Sequence, residues 1–123
     1  MTWHQWIGLP HAFRADPNNG VAADCLLMVW SLLAEAGVDC PPLDELWFEL
    51  AEKGEYKRLV SLFRENTIAV DEPEEHALTL FVAERSIGIG VVADGGLLYI
   101  HHARGVQWTP LEFCKKLRYR KFR

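Results

Sequence analysis

Chemistry in this chain starts at Asp24-Cys25. The turn Asp16-Pro17-Asn18-Asn19-Gly20 runs into an apolar segment, and between Ala22 and Ala36 the only polar side chains are Asp24, Cys25, Ser31 and Glu35. Cys25 therefore falls in the first turn of a helix, where unpaired backbone N–H groups and the helix dipole favour an anion. A thiol in that place can become a usable nucleophile, because the thiolate is the reactive form. The plainer reading is a small buried hydrophobe at a helix start, the commoner fate of a cysteine. Asp24 divides the same way, between a catalytic group and a helix-start acid that stabilises the dipole.

The helix that positions Cys25 spans residues 22–36. It is apolar nearly all round and so must be buried at the centre of the domain. Gly37 ends it, and Pro41-Pro42 prevents continuation. A second helix runs from Leu43 to Lys53 with a stripe of Leu43, Leu46, Trp47 and Leu50. After Gly54 a third runs from Glu55 to Asn66, with Tyr56, Leu59, Val60, Leu62 and Phe63 on its buried side. From Thr67 the pattern becomes extended. His76–Val82, Ser86–Val92 and Leu97–His102 read as strands, Ala93-Asp94-Gly95-Gly96 as a hairpin, and Val106–Trp108 and Leu117–Phe122 as further strands. Helices first and an antiparallel sheet second make an α+β fold, a single domain over 1–123.

Composition narrows the classes of function. Half of the 123 residues are hydrophobic and five are tryptophan, which excludes disorder. No apolar run reaches the length of a membrane span. The N-terminus lacks the charged and apolar regions of a signal peptide, so synthesis in the cytoplasm is expected. Cys25, Cys40 and Cys114 are odd in number and widely spaced, which argues against a disulfide framework, and no paired spacing suggests a metal site. No cofactor motif is present, since Gly88-Ile89-Gly90 is not followed by a helix pattern. Residues 1–114 carry 7 basic and 17 acidic side chains, a balance of −10, while 115–123 carry +6. That tail alternates apolar with basic and reads as a solubilised edge strand rather than a nucleic-acid arm.

The order of these elements resembles the NlpC/P60 cell-wall peptidases, most closely the small forms encoded by phages and prophage-like tail clusters. Gly8-Leu9-Pro10-His11, the turn, Asp24-Cys25 with its apolar helix, Ser86-Ile87-Gly88-Ile89 and His102-Ala103 carry the likeness, which covers essentially the whole chain. The resemblance implies a papain-like fold, with Cys25 on the central helix packed against an antiparallel sheet. It places Cys25 as nucleophile and Asp24 beside it, and sets His11, Ser86 and Gly88 along the substrate. His11 stands where the family has tyrosine. Ser86 stands where the family has its catalytic histidine, and a serine cannot act as the base at neutral pH.

Three readings follow from that departure. Either His101 or His102 has become the base, with His102 favoured because alanine follows it. Or His11, before the helix, serves. Or hydrolysis is lost. Only one of His101 and His102 can point at Cys25, because side chains alternate along a strand. The implied activity is hydrolysis of stem-peptide amides in bacterial peptidoglycan, by a protein carried in a phage tail among other tail proteins. The alternative is a degenerate domain with a structural or assembly role in the tail tip. A third possibility is acyl transfer or amidase chemistry on a lipid or small amide, which a pocket lined by tryptophan and phenylalanine would favour. Trp3, Trp6, Trp47, Phe48 and Trp108 are candidates for either a core or an interface.

Overall fold

Asp24 sets where the central helix begins. Its backbone is extended and its carboxylate accepts the Leu26 N–H at 2.8 Å, so α1 runs Cys25–Glu35 with Asp24 as its N-cap. The computed structural model describes residues 2–83, 86–114 and 116–123, with side chains described outside 82–87. The expected start at residue 22 is corrected, because Ala23 bridges His11 in parallel and stays extended. Leu26, Met28, Val29, Trp30, Leu32 and Leu33 of α1 are buried. Gly37 takes φ +76°, and the N–H groups of Gly37 and Val38 return to the carbonyls of Ala34 and Leu33. That is the Schellman ending, which uses up orphan carbonyls at the helix end.

The same devices bound α2, Glu45–Glu52. Asp44 caps its start, and Gly54 at φ +67° ends it with Glu55 N–H donating to Leu50. Trp47 and Leu50 are buried, whereas Leu46, expected in the stripe, is exposed. In α3, Tyr56–Glu65, the buried residues are Leu59 and Phe63.

The strands are β1 Thr67–Val70, β2 Leu78–Ala83, β3 Ser86–Ala93, β4 Gly96–His101, β5 Gly105–Pro110 and β6 Tyr119–Phe122. They form one antiparallel sheet in the order β1-β6-β2-β3-β4-β5. Asp94 and Gly95 both take positive φ in the two-residue β3–β4 loop, the type I′ geometry the sequence calls for. The basic tail is not an edge strand. β6 lies between β1 and β2, where Arg120 Nε donates to Thr67 Oγ1 at 2.6 Å and Lys121 pairs with Glu74 at 3.2 Å.

One face of the sheet carries the main core, in which α1 packs on β3. Val91 belongs to that core, while its neighbour Val92 packs with Ala77 and Tyr119 in a second cluster, as alternation along a strand requires. Trp6 and Trp47 are core residues rather than surface ones. β3 and β4 pair only at 91–93 against 96–98; beyond that, β3 stays with β2 and β4 stays with β5. The expected α+β class is what the chain forms. The papain-like arrangement is a different matter, and is corrected below.

Candidate active site

Cys25 is the first residue of α1, and it lines a cavity together with Gly88 and Ile89 of β3 and Ile100 of β4. Burial pushes its pKa up to about 12, and the Asp24 carboxylate adds to the rise. Backbone N–H groups of Ile89 and Leu26 face the sulfur and act the other way, but more weakly. At neutral pH Cys25 is a protonated thiol. The helix-start position therefore does not by itself produce a resting thiolate.

Asp24 is committed to the backbone. One carboxylate oxygen caps α1 through Leu26 N–H, and the other accepts Arg14 N–H at 2.7 Å. Asp24 thus ties the 10–15 segment to the head of α1, helped by Ala23 N–H to Pro10 and Asp24 N–H to Ala15. Arg14 adopts φ +62°, lays its guanidinium on the Phe48 ring, and forks to Glu45 and Glu52. Those ion pairs hold the Glu45 carboxyl below its usual range and fasten the segment to α2. They join residues 31 and 38 positions apart, so no local pattern announces them.

The expected strand to His102 is corrected: β4 ends at His101, and His102 is an exposed residue of the turn that follows, so alternation along the strand does not separate the two histidines. Ile100 and His102 line the same cavity as Cys25. His101 Nδ1 accepts N–H from Ala103 at 3.0 Å and Arg104 at 3.1 Å. That closes the β4–β5 turn and orients His102, whose ring stacks on His101 with centroids 4.5 Å apart. His11 reaches the cavity from the other side, edge-on to Phe13 at 4.9 Å. Among the described residues no hydrogen bond links an imidazole to the Cys25 sulfur. The side chain of Ser86 lies outside the described residues; its backbone pairs with Ala83.

Gly88 also lines the cavity, for a packing reason. It pairs with Phe81 across the sheet, and a Cβ on Gly88 would stand 2.5 Å from the Phe81 ring. The missing side chain lets that ring lie over the strand. Gly105, at φ +76°, does the same for backbone, since a Cβ there would run into the Leu9 carbonyl. Leu9 accepts from Val106 N–H and Gly8 donates to Val106, which docks the loop before His11 onto β5.

The cavity has a volume of about 380 Å³. Cys25, His11 and His102 meet its edge, and the rest is largely Phe13, Trp47, Phe63, Phe81, Leu59 and similar groups. Sequence reading places Trp47, Leu59 and Phe63 on buried helix faces but gives no sign that they stop short of filling the space. Among the described residues no Lys, Arg, Asp or Glu side chain lines it. Among the described residues no group of three His, Cys, Asp or Glu side chains is arranged to hold a metal, and no helix is long and apolar enough to cross a membrane.

No family model, no curated protein and no solved structure matches this chain. The papain-like fold expected from the motif resemblance is accordingly withdrawn. What stands is three helices and a six-stranded antiparallel sheet of the order given above.

Proposed function

We propose that the cavity is a thiol-dependent acyl-cleaving site in which Cys25 is the nucleophile and His102 the base. The observation that carries this reading is the convergence of Cys25, His102 and His11 on one cavity from three separate parts of the chain. Because the resting thiol is protonated, attack and proton removal belong to one step: the Cys25 proton passes to His102 as Sγ bonds to the substrate carbonyl. The leaving amine or alcohol then takes that proton from His102, leaving a thioester on Cys25. Water hydrolyses the thioester, releasing the carboxylic acid and restoring the thiol. Leu26 N–H is taken up by Asp24, and the backbone N–H groups of Cys25 and Ile89, which act on the sulfur, are the donors offered to the oxyanion.

The resemblance extends this reading to stem-peptide amides of peptidoglycan and to a place in a phage tail, with other tail proteins as partners. A second reading, a degenerate site without turnover in such an assembly, is favoured by the raised Cys25 pKa and by the lack of an imidazole–sulfur hydrogen bond among the described residues.

The test is exposure of the full chain to 4-nitrophenyl acetate with intact-mass analysis. One acetyl group on Cys25 and a matching burst of 4-nitrophenolate are expected, both lost in Cys25→Ala. Acetylation spread over lysines, unchanged in Cys25→Ala, selects the reading without turnover.

A further inference from the structure

We infer that the cavity behind Cys25 is a binding site for an unbranched aliphatic acyl chain. Its volume of about 380 Å³ lies within the range of small-molecule sites, about 300–1,000 Å³. At about 30 Å³ for a water-sized group, that space holds on the order of ten non-hydrogen atoms. The chemistry of the lining is divided. His11, His102 and the Cys25 thiol line it, and so do Trp47, Ala51, Leu59 and Phe63 of the helices and Leu80 and Phe81 of the sheet.

An aliphatic chain with a carbonyl at one end has the same division. Its carbon tail removes apolar wall from water, at about 25 cal/mol per Å², and asks for no hydrogen bond. A peptide entering the same space would bring an N–H and a C=O with every residue, and each needs a partner when buried. Apart from Cys25, His11 and His102, the polar side-chain atoms among the described lining residues are the Tyr56 hydroxyl and the Trp47 indole N–H. An acidic stem peptide fares worse, because no lysine or arginine lines the cavity among the described residues.

Calling the chain an acyl group rests on the reading of Cys25 as the nucleophile; the fit of the tail to the cavity does not. The experiment separates the two. The full chain is titrated with dansyl-undecanoic acid by fluorescence, then with decanoic acid or N-acetylphenylalanine amide as competitors. Saturable binding is expected, displaced by decanoic acid and not by the peptide analogue, and retained in Cys25→Ala. Ala51→Phe, whose ring projects into the cavity, is expected to weaken binding by about tenfold or more, with Ala51→Met as the milder variant should the first not fold. Absence of saturable binding overturns the inference. So does an affinity unchanged in the folded Ala51 variant, or better displacement by the peptide analogue. Binding that persists while Cys25 takes up no acyl group removes the proposed nucleophile and leaves the chain site standing.

Discussion

Cys25 keeps its proton at neutral pH because burial and the Asp24 carboxylate both oppose the thiolate. Folding therefore holds that proton more tightly than the unfolded chain does. The resulting stabilisation is complete below the ordinary thiol value of 9.0 and is lost as pH rises towards about 12. Urea midpoints are expected to fall as pH is raised from 9 to 11, and to fall less in Cys25→Ala; equal slopes would show that Cys25 is not the group responsible. Alkylation by iodoacetamide follows the same logic. At pH 7.5, with Cys40 and Cys114 replaced, Cys25 is expected to react far more slowly than a free cysteine. That Cys25 stands at a helix start was legible from the residues, whereas the end of β4 at His101, one residue short of His102, was not. Nor was the pKa, since it depends on burial by segments distant in the chain.

At the scale of elements, Asp24 matters more as a cap than as a partner in chemistry. Asp24→Ala removes the acceptor for both Leu26 N–H and Arg14 N–H. It is expected to cost at least about 1 kcal/mol in denaturant unfolding, and to loosen the segment that carries His11. An unchanged midpoint would mean that water replaces both bonds. Gly88→Ala is expected to destabilise as well and to displace the Phe81 ring, read as weaker binding in the cavity. Helix C-terminal ends were readable because Gly37 and Gly54 announce them by type, whereas the second helix starts at Glu45 behind its Asp44 cap rather than at Leu43. The short β3–β4 ladder, 91–93 against 96–98, was not readable, because nothing in Ser86–Val92 or Leu97–His102 fixes how far two strands stay paired.

For the whole molecule, the helices-then-sheet order was enough to give the α+β class, whereas the place of the last strand was not. A basic, alternating tail suits an edge on charge grounds, yet Arg120 and Lys121 find partners in Thr67 and Glu74, and β6 takes an inner position. Removing residues 117–123 is therefore expected to abolish cooperative unfolding, monitored by circular dichroism, since β1 would lose the strand it pairs with. Retention of a sharp transition would mean that β6 is peripheral. Joining these scales is the claim that His102 takes the Cys25 proton during attack. The most direct measurement is the rate of Cys25 acylation by 4-nitrophenyl acetate against pH, in the parent and in His102→Ala. A deficit of about a hundredfold in the variant is predicted near pH 7, narrowing steadily by pH 10 as the thiolate forms without help. Profiles that coincide at every pH would contradict the account and leave Cys25 as a thiol without a base.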